Sequence, residues 1–87
     1  MVALRSVGLA GDATTSLWDC DLLDGPVALV IGAEGSGLSR LVLERVDRLV
    51  HIPMAGRMTS LNASAASAVA LFEVRRRRDG GAARLAH

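Results

Sequence analysis

The chain has no lysine and no tyrosine, one cysteine, and only two aromatic residues, Trp18 and Phe72. Each scarcity excludes something. A single cysteine, Cys20, leaves no partner for an intramolecular disulfide and gives no support to a zinc cluster; a buried or idle reduced thiol is expected there. So few aromatics mean that the core must be built from Val, Leu, Ile and Ala. No apolar stretch approaches the length needed to cross a bilayer. Arg5 near the start is followed by neither an apolar leader nor a small-residue cleavage site. A soluble, cytoplasmic protein without metal is expected. With a formal net charge of +1 there is no global basic field. The basic character is local: all ten basic residues are arginine, and four of them are consecutive at 75–78.

What is present is apolar and compact in plan. Of 87 residues, 51% are hydrophobic, and the mean hydropathy is +0.35. A chain this short buries only roughly 60–65% of its unfolded surface, so the apolar surplus points to tight packing or to a covering partner. Residues 1–10 alternate loosely and read as a strand. Residues 11–25, with four aspartates, read as a loop with a helical turn around 17–23. Residues 26–31 (PVALVI) form a continuous apolar run, as in a strand buried on both faces of a parallel sheet. A glycine-rich turn follows at 32–37, then a short helix over 39–46 with Leu41, Val42 and Val46 on one face. Residues 49–52 read as a strand that Pro53 stops. After a second loop, Ser60 opens a long helix to about residue 78, with Leu61, Ala65, Ala68 and Phe72 at helical spacing. Gly80 and Gly81 are expected to end it and begin a loose tail over 79–87. The order of elements is α/β.

The turn IGAEGSG raises the question of what it holds. Gly32 and Gly37 have the spacing of a phosphate-binding P-loop, but Leu38 stands where the phosphate-reaching lysine is needed. The GSGLSR stretch likewise lacks the third glycine of a dinucleotide fingerprint. Glycines let a backbone approach a flat ligand closely. Glu34, inside the turn, would repel a phosphate and suits a hydroxyl, an amine or a sulfonium. In the second loop, Ser60 and Asn62 sit at a helix start beside free backbone N–H groups. Taken alone, that loop reads best as Ser60 capping the helix with Asn62 solvated.

The two loops together, LVIGAEGSGL (29–38) and IPMAG (52–56) with SLNAS (60–64), resemble the second and third motifs of the SpoU (TrmH-like) family of RNA 2′-O-ribose methyltransferases, within the SPOUT superfamily. Order and spacing match, over roughly residues 2–75. The resemblance implies an α/β-knot fold: a parallel sheet, flanking helices and a C-terminal trefoil knot forming an S-adenosyl-L-methionine pocket, with residues 1–78 as the domain. It implies a homodimer acting on tRNA or rRNA. It implies cofactor contacts around Gly32, Glu34, Gly35, Ile52, Met54 and Leu61, and matches Glu34, Ser60 and Asn62 to functionally important polar positions. The alanine-rich helix from residue 63 would let a neighbouring backbone pack closely. The family's first motif, which carries an Asn and an Arg, has no counterpart here; Arg5 in ALRSVGLAG does not fit it. The chain thus looks like the C-terminal part of the catalytic domain, weak or inactive alone. The alternative is a non-catalytic remnant that binds cofactor, RNA or a partner subunit.

Other polar residues divide between structure and RNA. Residues 75–78 suit a solvated helix end, where cations meet the dipole favourably, or sequence-blind contacts to RNA phosphates, with Arg75 and Arg76 as candidates. Arg57 in the second loop is the better placed to meet a phosphate near the reacting ribose. His51 is expected to be packed or at a strand edge. Trp18 could stack on RNA, but reads better as a local core plug.

Overall fold

The computed structural model describes residues 3–32, 37–54 and 62–86. Strand β1 is Arg5–Leu9, β2 is the short Thr15–Ser16, β3 is Val27–Val30 and β4 is Arg48–His51. Helix α1 spans Arg40–Arg45 and α2 spans Ala63–Ala86. Two 3₁₀ turns, Leu17–Asp19 and Asp21–Asp24, join β2 to β3. They stand where a helical turn was expected around 17–23 within the loop over 11–25, while the short strand β2 in that loop was not anticipated. The four strands are all parallel, in the order β2-β4-β1-β3. Parallel pairing of β1 with β3 runs from Arg5↔Val27 to Gly8↔Val30, and β1 meets β4 from Val7↔Arg48 to Leu9↔Val50.

Both faces of the central strand β1 are covered, whereas the apolar run at 26–31, expected to be buried on both faces, supplies β3, which lies at the edge of the described sheet with its residues half-buried. On one face Val7 and Val50 join Leu17, Cys20, Leu23 and Ala70 in a fully buried cluster, with Val27, Leu29, Ile52, Val69 and Val74 packed against it. Leu17 and Leu23 come from the 3₁₀ turns and Ala70 from α2. On the other face Gly8 lies close against Leu38, Leu49 and Val46; a Cβ at Gly8 would come within 2.9 Å of the Leu38 side chain. Leu38 and Val46 bracket α1, so the short helix is held to the sheet by its ends. Leu41, expected on the packed face, is 58% exposed. Ser39 caps α1: its Oγ accepts from Val42 N at 3.3 Å.

Several expectations about α2 change. The cap is Asn62, not Ser60: Asn62 Oδ1 accepts from Ala65 N at 2.8 Å, and its carbonyl accepts from Ala66 N at 2.9 Å. Asn competes equally with Ser for that position, and here Asn62 immediately precedes the first helical residue. The helix also continues through Gly80 and Gly81 to Ala86. Each glycine costs only about 1 kcal/mol relative to alanine within a helix, and Ala82, Ala83, Arg84 and Leu85 are all strong helix formers. Finally, the buried stripe is Ala66, Ala70 and Glu73, not the stripe through Ala65, Ala68 and Phe72. Residues two apart lie on nearly opposite sides of a helix, so burying Ala70 turns Phe72 outward. The small alanines bring the helix close to the core.

Trp18 is not a core plug either; it is 46% exposed, while its neighbours Leu17 and Cys20 fill the core. Cys20 is buried and unpaired, as anticipated. No helix among the described residues is long and apolar enough to cross a membrane.

Candidate active site

Because every strand runs the same way, all four carboxyl ends lie at one end of the sheet. Strands β3 and β4 flank β1, and each delivers one motif-bearing loop there: β3 leads into Ile31 and Gly32, β4 into Ile52, Pro53 and Met54. From β1 the chain runs to the edge strand β2, crosses to β3 on the far side of β1, and returns to β4 between β1 and β2. In open parallel sheets, such a switch point opens a crevice outside the strand ends, where ligands bind.

The first loop closes on itself. A Cβ at Gly32 would collide with the backbone of Gly37 and Leu38, and Gly37 adopts φ +65°. Only glycine suits both positions: one for the close approach, the other for the left-handed conformation. The loop therefore leaves β3, turns back at Gly37, and returns against its own root before Ser39 starts α1.

Of the residues that the sequence assigns to cofactor and ribose, Gly32, Ile52, Met54 and Asn62 lie in the described structure. Gly32, Ile52 and Met54 are half-buried at the carboxyl end of the sheet. Ile52 packs on the core. Asn62 is exposed at the head of α2. Glu34, Gly35, Arg57, Ser60 and Leu61 lie outside the described residues. Next to Ile52, His51 has a buried Nδ1 without a hydrogen-bond partner among the described residues. Half-buried apolar side chains and glycine backbone at this end of the sheet suit the flat, neutral adenosine part of a nucleoside cofactor. Among the described residues, no cluster of three or more His, Cys, Asp or Glu could hold a metal ion.

The arginine run is not simply a solvated end. Arg77 is 12% exposed and enters the 3₁₀ segment. Its guanidinium donates to the carbonyls of Trp18 at 2.7 Å and Leu17 at 3.2 Å, and also to that of Cys20. It also meets Glu73 at 2.9 Å and Asp24 at 3.4 Å. Glu73, 4% exposed, accepts from Arg76 through both of its oxygens, at 2.8 and 2.9 Å. The Arg76 hydrogen bond holds the Glu73 carboxyl below its ordinary range against the opposing effect of burial, with Arg77 assisting. Arg78 donates to the Gly25 carbonyl at 2.7 Å, and Arg75 pairs with Asp79. Arg75 and Arg76 keep side chains 76% and 70% exposed.

The sequence reading missed this clamp. Glu73 stands three and four residues before Arg76 and Arg77, the spacing at which helix side chains meet, so the pairing was readable; its burial was not. A second tie was also missed. At the amino end of β1, Asp47 Oδ2 accepts from Ser6 N at 2.7 Å and from Ser6 Oγ at 3.1 Å. The backbone N–H of Ser6, then its hydroxyl, lowers the Asp47 pKa.

A parallel α/β sheet with two glycine- and proline-marked loops at its switch point belongs to the class of open α/β domains whose ligands bind outside the carboxyl ends of the strands. Residues 3–72 match the SpoU rRNA Methylase family, and the chain belongs to that family. It is 53% identical over 75 residues to a 23S rRNA (guanosine-2′-O-)-methyltransferase from a Burkholderia species, an alignment covering 86% of this chain and 30% of that protein. Among solved structures, it superposes on the SpoU methyltransferase AviRb from Streptomyces viridochromogenes in complex with AdoMet. The TM-score there is 0.81 at 37% identity, over 90% of this chain and 29% of that one. The A. aeolicus TrmH/SpoU tRNA modifying enzyme gives a TM-score of 0.77 at 31% identity, over 88% and 39%. The chain thus spans about 30% of the length of the curated relative it matches.

Proposed function

We propose that this chain forms the carboxyl-terminal part of a SpoU-type domain that methylates a ribose 2′-OH of rRNA or tRNA. The observation that carries this reading is the convergence of the two motif loops at the ends of β3 and β4, on either side of β1. S-adenosyl-L-methionine, when bound, would supply the methyl group for in-line displacement at carbon by the ribose oxygen. Gly32, Gly35, Ile52, Met54 and Leu61 hold it through backbone groups and apolar contact, and the Glu34 carboxylate suits a cationic or hydroxyl-bearing ligand. Glu34, Ser60 and Asn62 orient the ribose, since holding both reactants in line supplies much of the rate gain. The 2′-OH is a poor nucleophile until its proton is shared or removed. No residue of this chain matches the first-motif arginine that would help with that step, so these 87 residues alone catalyse weakly or not at all. Arg57, Arg75 and Arg76 contact RNA phosphates. The working form is a cytoplasmic homodimer whose domain, residues 1–78, carries a C-terminal trefoil knot.

Calorimetric titration of the purified, folded chain with S-adenosyl-L-methionine tests the reading. Saturable binding that Gly32→Ala weakens at least tenfold is expected. A folded chain with no affinity at millimolar cofactor overturns the assignment.

A further inference from the structure

A glycine inside a strand weakens it, so its place there points to a close approach by a neighbour. Gly8 is such a residue. It pairs with Val30, the last residue of β3, and with Leu49 of β4. It therefore lies beside the point where β3 leads into Ile31 and Gly32. Successive strand residues face opposite sides of a sheet. Val7 faces the core under α2, and the buried Gly8 faces the α1 side. A Cβ at Gly8 would come within 2.9 Å of Leu38 Cδ1, 3.1 Å of Leu49 Cδ2 and 3.5 Å of Val46 Cγ1.

Leu38 is the hinge of this contact. It stands one residue before the Ser39 cap of α1, where the first motif loop returns to the sheet. Its backbone, with that of Gly37, fills the place a Cβ on Gly32 would take. One residue thus meets the root of the loop through its backbone and the central strand through its side chain. Close-packed interiors transmit strain. Leu49 and Val46 crowd the same space, so a methyl group at Gly8 displaces Leu38 and, with it, the Gly32–Gly37 contact.

We infer that Gly8, outside both motif loops, is a positioning residue for the cofactor. By admitting Leu38 against β1, it sets where Gly32 and Gly37 stand at the carboxyl end of the sheet. This rests on the cofactor site proposed above and adds to it a residue that no loop motif contains. Taking one carbon from Leu38 offsets the carbon added at Gly8, because exchanges that conserve volume are the best tolerated.

The 87-residue chain tests this with two readouts: titration with S-adenosyl-L-methionine, and NMR of the Gly32, Gly37 and Leu38 amides without it. Gly8→Ala, folded by circular dichroism, is expected to bind about tenfold more weakly, the order that overpacking strain produces, and to shift all three amides. Adding Leu38→Val should return affinity to within about threefold of the parent, because contacting residues are coupled. Adding Leu49→Val, which opens space on β4 and not at the loop, should not. Should Gly8→Ala unfold, Leu38→Ala decides: it empties the space over Gly8 and should weaken binding and shift the Gly32 amide in a folded chain. Parent-like affinity and amides in either single variant overturn the inference. So does equal recovery through Leu49→Val, which would indicate general crowding of that face. A parent chain without affinity overturns the cofactor reading itself. The placing of the loop by Gly8 is then read from the amides, and unmoved Gly32 and Gly37 resonances in Gly8→Ala overturn it.

Discussion

Asn62 carries two jobs that one substitution cannot separate. Its side chain caps α2 through Ala65 N, and it is proposed to orient the ribose. Asn62→Ala removes an acceptor worth about 1 kcal/mol. In a domain of this size that corresponds to a fall of roughly 4–8 °C in Tm, measurable by thermal melting. Asn62→Ser restores a capping oxygen and should recover the Tm. If Asn62 also orients substrate, the serine variant should still lower methyl transfer by a longer polypeptide that contains this segment. An alanine variant that melts with the parent would show that the cap contributes nothing. Gly32 and Gly37 illustrate the same overlap: the backbone proposed to approach the cofactor also closes the first loop upon itself.

At the scale of elements, α2 is fastened to the rest of the molecule by Arg77. The guanidinium donates to three carbonyls of the 3₁₀ segment, of which those of Leu17 and Cys20 also accept from Cys20 N and Leu23 N within the turns, and it neutralises a buried glutamate. Removing Arg77 takes one of the two arginine partners from Glu73, which keeps Arg76, and strips the 3₁₀ carbonyls of a charged donor, at a cost of about 1–3 kcal/mol. Arg77→Met should therefore shift the urea midpoint downward. Arg77→Lys keeps the charge but loses the planar fork, and should fall between the two. A methionine variant as stable as the parent would refute the clamp. Within the arginine run only this residue is withdrawn from solvent, a distinction that four identical letters cannot convey. What separates them is helical phase: position 77 lies four residues after the buried Glu73 and seven after the buried Ala70.

For the whole molecule, the two depressed carboxyls make stability depend on pH. Both Glu73 and Asp47 have folded-state pKa values below their ordinary ones of 4.5 and 3.8. Such groups contribute stability that is fully present above the unfolded-state pKa and is lost as pH falls through the folded one. The urea midpoint should be flat near pH 6 and fall below about pH 4.5. Glu73→Gln should flatten that decline while lowering stability at neutral pH. A parent midpoint unchanged between pH 6 and 3 would show that neither tie matters to folding.

Much of the architecture was legible because its signals are local. The apolar run at 26–31 has the pattern of a strand in a parallel sheet, and β3 lies there, although at the edge of the described sheet and half-buried. Ser39 marked the start of α1, and Pro53 the end of β4. The two loop motifs identified the family by residue type and spacing alone. Tertiary structure decided what depends on which side of an element meets a neighbour. Helical spacing allowed either the Ala66–Ala70 stripe or the Ala68–Phe72 stripe to face inward; close approach of α2 to the 3₁₀ turns selected the alanines and turned Phe72 out beside Trp18. The sequence by itself determined the loops and the strands that present them, because backbone hydrogen bonding and glycine geometry are properties of short segments. The strand order that sets those loops on either side of β1, and the burial that turns one arginine of four into a clamp, arise only when segments distant in the chain compete for the same core.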